Sequence, residues 1–126
     1  MPPLNLLIKP ASGRCNMRCR YCFYADETAH REVDDYGLMP EDVLEAMIRK
    51  SLAHAEGACT FGFQGGEPTL RHDLVKLVQA AQWFVTRLNT NGRMLTSMMC
   101  KELHEASLDA VQITFYSADA DIHNEL

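Results

Sequence analysis

The sequence predicts an α/β protein built from about four parallel strands with helices outside them, arranged as part of a (βα) barrel. Short β-like runs alternate with amphipathic helical runs in the order βαβαβαβ, which is typical of stacked βα units. The second and fourth strands alternate large apolar residues with small or polar ones, as a barrel with a polar interior requires. An open sheet with one wet face would show the same alternation. The 126 residues are about half of the roughly 250 that a closed eight-unit barrel needs.

Hydrophobic periodicity places the elements along the chain. Strands are expected at residues 4–9, 59–64, 84–90 and 111–116, and helices from Pro40 onward, at residues 74–81 and over about 96–107. The expected apolar face of the first helix comprises Val43, Leu44, Met47, Ile48 and Leu52.

Composition excludes several classes of function. Hydrophobic residues make up 47% of the chain, which suffices for a core, and no apolar run approaches the roughly 18 to 20 residues that span a membrane. Twelve basic against 17 acidic residues give a net charge of −5, without a basic stripe for nucleic acid. The five cysteines and the absence of a secretory signal predict a cytoplasmic protein, where clustered cysteines indicate metal binding or catalysis.

Three of the cysteines, Cys15, Cys19 and Cys22, follow the first strand within eight residues. Thiolates suit zinc or iron–sulfur clusters. Structural zinc requires four ligands, and the nearest candidates for a fourth, His30 and Cys59, have no motif spacing. Three cysteines on a four-iron cluster instead leave one iron open to another ligand. A zinc loop remains the alternative, and Cys59 and Cys100 are interpreted as buried apolar residues.

A second motif, Gln-Gly-Gly-Glu-Pro-Thr at residues 64–69, ends the second strand. Gly65 and Gly66 would let a ligand approach the backbone, and the Glu67 carboxylate could accept hydrogen bonds from an ammonium group. The alternative is an ordinary βα turn.

The Cys-x3-Cys-x2-Cys spacing, with an aromatic residue before the last cysteine, resembles the signature of the radical S-adenosylmethionine (radical SAM) superfamily. The resemblance implies a [4Fe-4S] cluster on Cys15, Cys19 and Cys22. It also implies that S-adenosylmethionine is bound with its amino group at Gly65, Gly66 and Glu67, its adenine near Tyr21 and its ribose near Thr114. Thr114 has an alternative interpretation as a β-branched strand residue. Thr-Asn-Gly at residues 90–92 resembles the motif that ends the third strand of family members.

Within the superfamily, five segments look like anaerobic sulfatase-maturating enzymes, which are peptide-modifying enzymes with SPASM-type relatives: residues 6–13, 15–19, 21–24, 36–39 and 63–70. These enzymes oxidise a cysteine or serine of a sulfatase to formylglycine. Residues 114–119 are closer to members that modify ribosomal peptides, which is the alternative substrate class. A non-catalytic metal-binding remnant is the third interpretation.

The resemblance implies an oxidoreductase that receives an electron from a donor such as ferredoxin or flavodoxin and generates a 5′-deoxyadenosyl radical. The radical removes a hydrogen atom from a protein or peptide substrate; no catalytic base is identifiable. Members of this branch carry a C-terminal domain with two further clusters, which Cys59 and Cys100 could not hold. Residues 1–126 are therefore expected to be the N-terminal part of a truncated radical SAM core domain that lacks the auxiliary-cluster domain.

Overall fold

One parallel sheet forms the framework of the chain in the computed structural model, which describes residues 3–20, 22, 29–30, 32, 37–54, 59–114 and 118–125. Its described strands are β1 (Leu4–Ile8), β2 (Cys59–Phe63), β3 (Val85–Thr90) and β4 (Ala110–Ile113). The described helices are α1 (Glu41–His54), α2 (Leu74–Ala80), α3 (Ser97–Glu105) and α4 (Ala120–Glu125), and a 3-10 turn spans Pro68–Leu70. None of the described helices is long and apolar enough to cross a membrane.

The strands lie in sequence order, β1-β2-β3-β4. Their register pairs Ile8 with Phe63, Phe63 with Leu88, and Leu88 with Val111. Right-handed crossovers that advance in one direction place successive helices on the same face of the sheet. This arrangement confirms the predicted partial barrel and its βαβαβαβ order.

The core lies between the sheet and its helices. The residues of this core are Ile8, Leu44, Ile48, Cys59, Phe61, Phe63, Leu74, Leu77, Val78, Ala81, Phe84, Leu88, Leu103 and Ala106. In α1 the predicted apolar face is partly wrong: Val43 is 42% and Leu52 54% exposed, whereas Ser51 is buried. The arc of α1 that packs on the sheet is narrower than its apolar arc, so the flanking apolar residues stay in solvent.

The opposite face of the sheet carries the predicted small and polar residues. In β2, Phe61 and Phe63 point into the core, while Thr60 and Gly62 are half-buried on the other side. Leu7, paired with Gly62, is 70% exposed on that face. The sheet therefore has one packed and one open face within the described chain.

The fourth strand begins at Ala110, one residue before the predicted start, and its predicted end at residue 116 lies outside the described residues. β4 ends at Ile113, and Thr114 follows it, although the Thr114 N–H still donates to the Thr90 carbonyl (3.2 Å). Residues 115–117 lie outside the described residues. Val111 and Ile113 are exposed, because β4 is the edge strand and makes its strand contacts only with β3 in the described sheet.

The two cysteines outside the loop have different environments. Cys59 is buried in β2, as predicted. Cys100 is exposed, so its predicted burial is wrong. Leu103 is the buried residue of α3, and Cys100 lies on the flank of the helix that faces solvent.

Candidate functional site

The cysteine loop begins where β1 ends and turns back on itself at once. Ser12 donates its N–H to the Lys9 carbonyl (3.3 Å) and has a left-handed φ of 54°. Arg14 donates in turn to Ala11 (3.1 Å). The turn directs the cysteines back over the carboxyl ends of the strands, the edge of a parallel sheet where ligands bind.

The base of this loop is held by the guanidinium of Arg71, which is buried. It donates to the carbonyls of Pro10 (3.0 Å) and Met39, and it forms an ion pair with Asp73 (2.6 Å). The hydrogen bond from Arg71 holds the pKa of Asp73 below its ordinary value. Arg71 therefore joins three segments beneath the cysteines.

Gly65 and Gly66 pack directly against the backbone of the cysteine loop. A Cβ at Gly65, where φ is 123°, would lie 2.7 Å from the Ser12 carbonyl oxygen, and one at Gly66 would lie 2.1 Å from that of Arg14. The Gly66 N–H donates to Ser12 (3.1 Å) and the Glu67 N–H to Arg14 (2.6 Å). Only glycine permits this approach, so the pair seats the cysteine loop whatever else it binds.

The Glu67 side chain is 1% exposed and accepts four protein hydrogen bonds. Its Oε1 accepts from the Thr69 N–H (3.2 Å), the Thr69 hydroxyl and the Thr90 hydroxyl (2.6 Å). Its Oε2 accepts from the Asn91 N–H (2.7 Å). A carboxylate has about four acceptor positions. The carboxylate is thus used mainly to fasten the loops after β2 and β3 to each other.

Asn91 extends this network to the cysteines. Its side-chain Nδ2 donates to Asn16 Oδ1 (2.8 Å) and lies 3.8 Å from Cys15 Sγ in hydrogen-bonding geometry. Arg93 adds a bond from Nη1 to the Asn16 carbonyl (3.2 Å). The loops after β1, β2 and β3 consequently meet at one place.

The thiols of the loop are close enough to influence one another. Desolvation raises the pKa of Cys15, the Met17 N–H lowers it, and the negative charges of Glu67, Cys19 and Cys22 raise it further. Within the described residues, no three His, Cys, Asp or Glu side chains surround one single-ion position. Thiolates that bind different irons of a cluster share no such position. Three interacting thiols on one loop fit a cluster in their chemistry, because its irons would offset the mutual repulsion of the thiolates.

Positive charge surrounds the same loop. Arg14, Arg18, Arg20 and Arg93 are exposed, in a chain whose net charge is −5. We call these four residues the arginine surface. Three of them belong to the cysteine loop itself, and Arg93 reaches that loop through its hydrogen bond to the Asn16 carbonyl, so the surface is a local cluster and not the basic stripe that nucleic acid requires.

Two further residues of the predicted site are Tyr21 and Thr114. Tyr21 lies outside the described residues, and its place near adenine stays a prediction. Thr114 is exposed beyond β4 at the same edge of the sheet. Sequence reasoning assigned no role to Thr69, Thr90 and Asn91, although the resemblance of residues 90–92 to a family motif was a signal for two of them.

Comparisons with known proteins agree with this geometry. The chain matches the Radical SAM superfamily over residues 10–126. It is 43% identical over 114 residues to the cysteine-type anaerobic sulfatase-maturating enzyme of Clostridium perfringens, covering 83% of this chain and 31% of that enzyme. The chain therefore spans about a third of the length of this relative.

Two solved structures are similar along almost the whole chain. Native anSMEcpe with bound AdoMet and Kp18Cys peptide has a TM-score of 0.81 at 39% identity, covering 98% of this chain and 34% of that one. Streptococcus suis SuiB bound to its precursor peptide SuiA has a TM-score of 0.74 at 26% identity, covering 98% of this chain and 27% of that one. The resemblance inferred from the motifs is confirmed.

Proposed function

Because the chain belongs to the radical SAM superfamily, we propose that Cys15, Cys19 and Cys22 hold a [4Fe-4S] cluster beside which S-adenosylmethionine binds. The observation that carries the proposal is the seating of the cysteine loop on the loops after β2 and β3. Three thiolates leave one iron of a four-iron cluster free for the cofactor. When bound, the two groups supply the 5′-deoxyadenosyl radical by which superfamily members remove a hydrogen atom from substrate.

Different residues around the cysteine loop would bind different parts of S-adenosylmethionine. We assign the methionine amino group to the backbone at Gly65, Gly66 and Glu67. The Glu67 carboxylate already accepts four protein hydrogen bonds, and its contribution is to keep that backbone in place. Thr114, at the same edge of the sheet, is assigned to the ribose, and Tyr21 to the adenine.

The proposed activity is oxidation of a cysteine or serine of a sulfatase to formylglycine. It is supported by 43% identity to the Clostridium perfringens maturase and by likeness to a structure that holds both AdoMet and a peptide. In this proposal residues 1–126 form the N-terminal part of the core domain, which binds cluster and cofactor. The open face of the sheet, lined by Leu7, Thr60 and Gly62, would face the cofactor.

The arginine surface supports an acidic protein such as ferredoxin or flavodoxin as the electron donor. Opposite charges accelerate association, and salt weakens the effect. Reduction by flavodoxin is therefore expected to slow about tenfold between roughly 0.05 and 0.5 M salt. A rate independent of salt argues against this donor site. The expected cytoplasmic location would supply such a donor and keep the thiols reduced.

Anaerobic reconstitution with iron and sulfide tests the cluster. The wild-type chain is expected to bind about four irons and, after reduction with dithionite, to give the electron paramagnetic resonance signal of a [4Fe-4S] cluster. Cys19→Ala is expected to lose the signal while its helix content is kept. Cys100→Ala is the matched control, since it removes an exposed cysteine outside the loop and should leave the signal unchanged. Uptake of zinc but not iron contradicts the proposal.

A second candidate substrate is a ribosomal peptide, favoured by the likeness to SuiB bound to its precursor peptide at 26% identity. Incubation with a sulfatase peptide that carries the target cysteine separates the two candidates. Formation of formylglycine, detected by mass spectrometry, favours the sulfatase.

A chain that holds the cluster but releases no 5′-deoxyadenosine with dithionite and cofactor is instead a non-catalytic metal-binding protein.

A further inference from the structure

Asn91 is placed to act on the cluster site without being a ligand. Its backbone N–H is bonded to Glu67 Oε2 (2.7 Å) and its side-chain Oδ1 accepts from the Arg93 N–H (3.0 Å). Main chain and side chain are therefore both fixed, and the amide lies beside Cys15.

The orientation of this amide follows from its partners. The backbone N–H of Arg93 can only donate, so the oxygen of the Asn91 amide must face it. Nδ2 then faces Asn16 Oδ1 at 2.8 Å and Cys15 Sγ at 3.8 Å. An amide nitrogen carries two hydrogens, one for each of these acceptors.

An N–H that donates to a coordinating thiolate has a definite chemical effect. It offsets part of the negative charge on sulfur, and hydrogen bonds to the sulfurs are among the factors that set the potential of a cluster. One-electron reduction adds a negative charge that spreads onto the sulfurs. A fixed donor therefore stabilises the reduced form more than the oxidised form.

We propose that Asn91 is a positioning residue of the cluster site that, held by Glu67, orients Asn16 and raises the reduction potential through its bond to Cys15. The inference rests on the proposed function, because it takes Cys15 as a cluster ligand. One electron from a low-potential reductant is taken up per cluster, and no bond of Asn91 is made or broken.

The test measures the midpoint potential of the reconstituted chain by a redox titration followed by electron paramagnetic resonance. Asn91→Ala removes the donor. Asn91→Asp keeps the size and the acceptor for Arg93 but turns the donor into a negative charge. Asn5→Asp is the control, since it adds the same charge at an exposed position at the start of β1, the far end of the strand from the loop.

Asn91→Ala is expected to reduce the equilibrium constant for cluster reduction about tenfold, a shift of about 59 mV to more negative potential for a one-electron couple. Asn91→Asp should shift the potential further, and Asn5→Asp should not shift it. If Asn91→Ala does not fold, an Asn91→Asp chain with the wild-type potential overturns the inference, because a charge at the position of the donor must then have no effect on the cluster.

The outcomes separate the two proposals. An Asn91→Ala chain with about four irons and the wild-type potential overturns this inference and leaves the proposed function intact. A wild-type chain that assembles no cluster overturns the proposed function, and the inference with it.

Discussion

Replacing Glu67 with glutamine tests whether the buried carboxylate holds the site together. The substitution keeps the shape of the side chain but exchanges one acceptor oxygen for an NH2 donor. All four partners of Glu67 are donors, three at Oε1 and one at Oε2. The less costly orientation puts the NH2 at the position of Oε2, where it faces the Asn91 N–H.

The magnitude follows from that orientation. The bond from Asn91 to a charged acceptor is lost, and two donors confront each other in a site where the side chain is 1% exposed. A hydrogen bond to a charged group contributes about 1.5–3 kcal/mol, and an unsatisfied buried donor costs about 1–3 kcal/mol. The lost hydrogen bond and the unsatisfied donor are partly the same effect, so their energies do not add in full. We therefore expect the free energy of unfolding to fall by about 2–4 kcal/mol.

Urea unfolding of the cluster-free chain, followed by far-ultraviolet circular dichroism, measures this change. Glu45→Gln on the exposed side of α1 is the control and should stay within about 0.5 kcal/mol of wild type. If Glu67→Gln costs no more than the control, the carboxylate does not fasten the loops after β2 and β3 to each other.

Three further predictions concern the loops and the sheet edge. Gly66→Ala is expected to abolish iron uptake and to cost about 3 kcal/mol, because its Cβ would lie 2.1 Å from a backbone oxygen of the cysteine loop. Gly37→Ala is the control: its Cβ would have no atom within 4 Å, but the backbone φ there is 76°. It should lower the free energy of unfolding by about 1–2 kcal/mol through backbone strain alone. Arg71 lowers the pKa of Asp73 in the folded state. The free energy of unfolding should therefore fall as the pH drops from about 5 through that lowered pKa. Asp73→Asn should remove the contribution of Asp73 to this pH dependence. Ile113→Lys should reduce self-association through the exposed edge of β4, measured by size-exclusion chromatography.

Each of these has a contradicting result. Normal iron content in Gly66→Ala would show that the loops separate without loss of the cysteine site. A pH slope that persists in Asp73→Asn would belong to other carboxylates. A wild-type chain that elutes as a monodisperse monomer contradicts association through β4.

The framework was predictable because local periodicity encodes it. Phe61 and Phe63 alternate with Thr60 and Gly62, and that pattern alone indicated a strand with one buried face. Thr96 caps α3 by accepting from the Met99 N–H (3.1 Å), close to the predicted start. The predicted burial of Cys100 was wrong, because helical spacing shows which residues share a face of the helix but not how much of that face is covered by the rest of the protein.

The candidate site could be predicted from the sequence only where its residues are neighbours along the chain, and its ligand roles stay a prediction. Cys15, Cys19 and Cys22 share one loop, so their spacing carried the metal prediction. The contact of Asn91 with Cys15 joins positions 76 residues apart, and its contact with Glu67 joins positions 24 apart. Contacts of this kind depend on strand pairing, which no spacing in a single sequence records.

The origin of the candidate site in three separate loops bears on how the chain would acquire the proposed cluster. The cysteine loop rests on residues that follow β2 and β3, so its seat exists only after three parallel strands have paired. In the unfolded chain the same three cysteines are soft ligands with no fixed geometry, and such ligands discriminate little among the thiophilic metal ions of a cell. In the proposed function, folding would therefore precede correct loading of the cluster, the reverse of small zinc domains in which the metal drives folding. Selectivity for the cluster over other metal ions would then depend on the folded sheet, and a chain that folds slowly would be exposed for longer to the wrong ion.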